Sequence, residues 1–152
     1  MIRGVSFEIN QSKNKKILSQ ILQAIDVQAY NWYNVVEQNE VWANFQGEAI
    51  LCEENYSGID FVKIINSEHY IIFLKLQAYC EGLNCHNICT YEEFMKDDCQ
   101  LLILISDSEY VEIYTKTIEM ADGICNTAKQ NDFANVEYIT DDNDCRTELN
   151  IL

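Results

Sequence analysis

Leu101-Leu102-Ile103-Leu104-Ile105 decides the fold, because all five residues are apolar. A strand with one wet face alternates apolar and polar positions, so an unbroken run of this length marks a strand covered on both faces. It is the expected central strand. Asp107-Ser108-Glu109 then turns the chain into a strand from Tyr110 to Tyr114, and Ile118, Ala121, Cys125 and Ala128 fall at helical spacing within residues 117–130. Val136 to Ile139 is strand again. The acidic loop Asp141 to Asp144 follows, with a final edge strand expected at Leu149 to Leu152.

Working toward the amino end, Tyr70 to Tyr79 is apolar and β-prone and runs into the cysteine-bearing loop Cys80 to Cys89. Ser57-Gly58-Ile59-Asp60 and Thr90-Tyr91-Glu92-Glu93 have the form of capping boxes, in which hydroxyl and acid satisfy free helix amides. Each predicts a short helix, the second stopping near Asp98. Tyr30 to Tyr33 and Val41 to Phe45, around the polar Gln38-Asn39-Glu40, suggest a hairpin, and a short strand over Glu48 to Cys52. Residues 13–25 place Ile17, Leu18, Ile21, Leu22 and Ile25 on one helical stripe, and Val5, Phe7 and Ile9 alternate as a strand. Strands 5–9 and 30–33 around one helix faintly echo strands 110–114 and 136–139 around another. The expected class is α+β: a single domain over residues 1–152, with a mixed, mostly antiparallel sheet and three to four helices packed on it.

The chain has 152 residues, 48% of them apolar and 11% aromatic, which is too many for a disordered protein. Its charge is lopsided. Against 25 Asp and Glu stand 10 Lys and Arg, a net charge of -15; residues 1–76 hold 9 acids and 6 bases, residues 77–152 hold 16 and 4. Such a field repels phosphate backbones and anionic lipid and speeds encounter with basic partners or metal cations. Lys13, Lys15 and Lys16 are too small a basic cluster to offset it, so nucleic acid is an improbable partner. The amino terminus lacks the apolar core of a secretory signal, and no apolar run approaches the ~20 residues that span a bilayer. Seven cysteines, an odd number without an export signal, point to reduced thiols in a cytosol.

Three constellations could carry chemistry. Cys80, Cys85, His86 and Cys89 put three thiols and an imidazole within ten positions, a ligand set zinc would accept, yet the paired C-x-x-C spacing of structural zinc sites is missing. A thiol nucleophile needs a base, and only His69 and His86 are available. Asp141, Asp142, Asp144 and Arg146 form the densest polar loop. As a calcium loop it fails, because Arg146 stands where a third ligand belongs, and an acidic turn partly neutralised by its own arginine is the plainer reading. Trp32, Trp42 and Tyr33, with Tyr30, Tyr110 and Tyr114, offer aromatic anchors for an interface, or simply fill the core. Since Tyr30 and Trp32 share one strand face and Asn31 and Tyr33 the other, one aromatic has to meet solvent or lie beneath a helix.

Arg3-Gly4-Val5-Ser6-Phe7-Glu8-Ile9, Tyr30-Asn31-Trp32-Tyr33 and the ending Tyr138-Ile139-Thr140-Asp141-Asp142-Asn143-Asp144-Cys145-Arg146-Thr147 together resemble a family of small bacterial proteins of unknown function. The resemblance spans most of the chain. It implies a bacterial cytosolic setting and a single domain, and carries no activity, ligand or catalytic residue. The leading expectation is therefore a non-enzymatic module of inhibitor, immunity or adaptor type. It would need no cofactor and would bind a basic protein through Asp141, Asp142, Asp144, Arg146, Trp32 and Tyr33. The competing expectation is a metal- or thiol-dependent enzyme built on Cys80, Cys85, His86 and Cys89, and a third is a small-molecule or divalent-cation site at Asp141 to Arg146.

Overall fold

The computed structural model describes residues 1–44, 47–80 and 84–151. In chain order these form β1 (Ile2–Glu8), α1 (Ile17–Ile21), β2 (Tyr30–Asn34), β3 (Glu40–Trp42), β4 (Asn55–Tyr56) and α2 (Gly58–Ile65). Then come β5 (Tyr70–Cys80), α3 (Tyr91–Lys96), β6 (Leu101–Ser106), β7 (Tyr110–Thr115), α4 (Ile118–Gln130) and β8 (Ala134–Thr140). The strands make one sheet in the order β4-β2-β5-β6-β7-β1-β8, with β3 joined to β5. Every described pairing is antiparallel, and the class is α+β as expected.

The all-apolar run is the middle strand because it serves two cores. Leu101, Ile103 and Ile105 of β6 join Leu74, Leu76 and Ala78 of β5, Val5 and Phe7 of β1, and the buried faces of α1, α2 and α4. Leu102 and Leu104 point the other way, into a second core with Tyr79, Tyr114, Phe94 of α3, Ile88 and Leu149. Burying one such side chain is worth roughly 1.5–3 kcal/mol, so β6 ties both layers to the sheet. The helix starts follow their capping residues: the amides of Asp60, Glu93 and Met120 donate to the hydroxyls of Ser57, Thr90 and Thr117.

Four local expectations are corrected. The helix over residues 13–25 shrinks to Ile17–Ile21, because the Asn14 side chain accepts from Lys16 N at 2.7 Å and holds the lysines in a turn. Tyr30–Asn34 and Glu40–Trp42 do not form a hairpin. Both pair with β5 in succession, Tyr30↔Cys80 through Asn34↔Leu76 and then Glu40↔Phe73 through Trp42↔Tyr70. A tight hairpin turn needs positive φ; residues 35–39 have none, and Val36–Gln38 forms a 3-10 turn instead. Phe45, the end of that predicted strand, lies outside the described residues. No strand forms over Glu48 to Cys52 because Leu51 turns left-handed, at φ 56°, leaving a single bridge from Ala49 to Trp42. Residues 149–151 form a strap rather than an edge strand: Leu149 N donates to Cys89 O, and Ile151 N to Gln38 Oε1. Leu152 also lies outside the described residues.

Candidate functional site

The acidic loop is built against the amino-terminal strand. Where β8 ends, the Asn143 amide accepts from Thr140 N at 2.7 Å and donates to Tyr138 O at 2.9 Å, folding the loop back over the strand. That fold carries Asp141 and Asp144 to Arg3 of β1. Asp141 accepts from Arg3 Nε at 2.8 Å and from the terminal ammonium at 3.2 Å, and these two cations hold its carboxyl below the usual carboxylate range. The Asp144 side chain is only 2% exposed. It accepts from Arg3 Nη1 at 3.1 Å, from the Tyr114 hydroxyl at 3.1 Å and from Arg146 N at 3.1 Å. Burial, reinforced by Glu112 and Asp144, pushes the Tyr114 phenol up, so it stays a donor. The Arg3 guanidinium also lies 4.1 Å over the Tyr91 ring.

Arg146 turns inward as well, giving Nε to Glu112 Oε1 at 2.7 Å and Nη1 to Asn150 O at 2.7 Å. The loop thus locks the two ends of the chain together, and of its acids only Asp142 and Asp141 are exposed. Of the two aromatics grouped with it, Trp32 is fully buried on the opposite face, stacked 4.6 Å from Phe61 of α2 with Nε1 donating to Val27 O. It offers no surface to a partner. Tyr33 is half-buried and packs on the second core.

Beside the loop lies a concave surface that the sequence did not single out. Glu112 of β7 and Glu137 of β8 both pair with Ser6 of β1, so the period-two pleat sets the two carboxylates on one face with Ser6 between them. With Glu8, Tyr110 and residues 143–146 they line a recess of about 510 Å³. Its walls carry the carboxylates of Glu8, Glu112, Glu137 and Asp144 against the single guanidinium of Arg146. Tyr110 stands 48% exposed at its rim.

The cysteine-bearing loop, residues 80–89, holds the competing set of candidate residues. Its residues 81–83 lie outside the described residues. Cys80 is exposed, Cys85 and Cys89 are half-buried, and His86 Nε2 faces α3, 3.5 Å from Asp97 and 3.9 Å from Glu93. Among the described residues no three His, Cys, Asp or Glu gather closely enough to hold a metal ion. Burial, helped by Asp97, pushes the Cys85 thiol up, the opposite of what activates a nucleophile.

Sequence reasoning passed over the buried row Lys75, Gln77 and Tyr79 on the second face of β5. Lys75 is fully buried; its Nζ donates to Ile88 O and, at 3.0 Å, to Asn150 Oδ1, and burial lowers its pKa to about 8. Gln77 accepts from Ile88 N and donates to His86 O, and the Tyr79 hydroxyl also reaches His86 O. The signal was present, since polar groups alternate within an otherwise apolar strand.

Comparison with known proteins adds a family but no activity. The family model described as a protein of unknown function, DUF2691, matches residues 2–150. The chain is similar to the uncharacterized protein YncE of Bacillus subtilis (strain 168), 35% identical over 159 residues that cover 99% of this chain and all of that protein. No solved structure matches. No helix among the described residues is long and apolar enough to cross a membrane. On the strength of a match that runs almost end to end, the chain belongs to the DUF2691 family, whose function is unknown.

Proposed function

We propose that this protein is a single-domain, non-enzymatic binding module that receives a basic segment of another protein on the face made by β7, β1 and β8. One observation carries the reading: of the four carboxylates that line the recess, Glu112 is paired with Arg146 and Asp144 with Arg3, which leaves Glu8 and Glu137 without a cation among the described residues. The uncompensated charge favours Lys or Arg from a partner, and the net charge of -15 steers it inward over distances near the Debye length of ~8 Å at physiological salt. The same charge disfavours nucleic acid. Seven reduced cysteines suit a reducing cytosol.

Fluorescence anisotropy with a labelled Lys-rich peptide tests the reading. Binding at low salt, weakened about tenfold in a Glu8→Gln/Glu137→Gln protein and weakened again by 0.5 M salt, is expected, given ~1 kcal/mol or less per exposed pair. Equal binding by the variant and the parent would remove the recess from consideration, and no binding at low salt would end the proposal.

A further inference from the structure

The strap at residues 149–151 lies over the buried Lys75 and is held by single contacts rather than by a strand ladder. Leu149 N donates to Cys89 O at 2.8 Å, Ile151 N donates to Gln38 Oε1 at 2.9 Å, and Asn150 O accepts from Arg146 Nη1 at 2.7 Å. Asn150 Oδ1 is the centre of the arrangement, accepting from Gln38 Nε2 at 2.9 Å and from Lys75 Nζ at 3.0 Å. Of the three strap residues only Leu149 is buried, so little apolar surface has to be uncovered to lift them.

The floor beneath the strap is a cation in the wrong surroundings. An ammonium offers three donors, and here it meets two neutral acceptors, Asn150 Oδ1 from the strap and Ile88 O from the loop before α3. Among the described residues no carboxylate pairs with it. Glu37 of the Val36–Gln38 turn, Cys89, Glu93 of α3 and Cys99 ahead of β6 lie within electrostatic reach and favour the charged form, yet burial outweighs them and lowers the pKa to about 8. The remaining charged groups nearby are directed elsewhere: Arg146 to Glu112, His86 to α3, and the exposed Glu148 to Asn150 Nδ2. Lifting the strap lets water reach the ammonium, a gain that the neutral amine lacks because it keeps both bonds without a buried charge.

We propose that residues 149–151 form a latch over Lys75, released when that lysine takes up a proton and closed when it gives the proton up. Asn150 is the contact through which lysine and strap communicate. Lys75 holds its proton more weakly under the closed strap than beside water, so raising the pH through about 8 shifts the balance toward closure. The inference stands apart from the basic-protein reading, because it invokes neither Glu8 nor Glu137.

Amide hydrogen exchange of the whole protein tests it, read as protection factors so that the intrinsic pH dependence of exchange is removed. The Leu149 and Ile151 amides should be far less protected than those of β6 and insensitive to low urea, which marks local opening. Their protection should rise about tenfold from pH 7 to 9. Lys75→Met should abolish that rise, and Asn150→Ala should lower strap protection about tenfold at pH 9 while leaving β6 unchanged. If Lys75→Met fails to fold, Asn150→Ala decides. Strap amides as protected as those of β6, protection that stays level with pH, a rise that persists in Lys75→Met, or unchanged strap protection in Asn150→Ala would each overturn the latch.

Discussion

Lys75 makes stability rise with pH in a window where most proteins lose it. Its ammonium sits in a fully buried place between two neutral acceptors, Ile88 O and Asn150 Oδ1, and burial lowers its pKa from 10.5 to about 8. The unfolded chain keeps the proton up to about pH 10.5, while the folded protein gives it up from about 8. Between those values the unfolded state binds more protons, so raising the pH favours folding; below pH 8 the full penalty is present. At ~1.36 kcal/mol per pH unit, the drop from 10.5 to about 8 amounts to about 3 kcal/mol. Tyrosines and thiols also titrate in this range, and a Lys75→Met variant shares them. Urea unfolding of both proteins from pH 7 to 10.5 therefore isolates the lysine. The parent should gain about 3 kcal/mol on the variant across the window. The absolute offset at pH 7 is a separate matter, because Met leaves the Ile88 carbonyl unpaired at ~1–3 kcal/mol, while Asn150 Oδ1 keeps the Gln38 side chain as a donor. A difference that stays flat from pH 7 to 10.5 would refute the account of Lys75 as a buried charge without a counterion.

Three other outcomes follow from single contacts. Burial lowers the pKa of His69, so its contribution is complete above the unfolded value of about 6.5 and is lost as pH falls below it. His69→Phe should flatten that acid limb in urea titrations at pH 5 and 7.5, while orphaning the Leu18 amide at a cost of about 1–3 kcal/mol. A Cβ at position 4 would overlap the Ile113 carbonyl oxygen of the neighbouring strand, so Gly4→Ala should cost about 3 kcal/mol by thermal denaturation. Asp144→Ala should cost about 2 kcal/mol in the same assay by leaving the buried Tyr114 hydroxyl without its acceptor and Arg3 with Asp141 alone, whereas exposed Asp142→Ala should stay within about 0.5 kcal/mol.

Local pattern was a good guide where the responsible forces are local. Capping hydroxyls at Ser57 and Thr90 announced α2 and α3 because each satisfies an amide three residues on. The unbroken run at Leu101 announced the middle strand because double burial removes every reason for a polar residue. Pattern misled where a distant partner outweighed it. Aromatic stretches at residues 30–33 and 41–45 read as two arms of a hairpin, yet β5, eleven residues long, gives both β2 and β3 a partner. Trp32 looked like an interface anchor, and the ring of Phe61 covers it. In the acidic loop, density of charge was legible but its use was not, since Arg3 lies 141 positions from Asp144 in sequence.

The sequence by itself determined the α+β class, the central strand, the helix starts and the excess of negative charge, all set by side-chain chemistry and short-range periodicity. Only the tertiary structure decided which acids neutralise cations, as Asp141, Asp144 and Glu112 do, and which line the recess without one, as Glu8 and Glu137 do. Strand order does that: it places β1 between β7 and β8, so Glu112 and Glu137 meet across Ser6 while Arg3 is drawn to Asp141 and Asp144. Carboxylates that look equivalent along the chain differ in the fold because electrostatic energy depends on distance in space and on burial, not on separation in sequence.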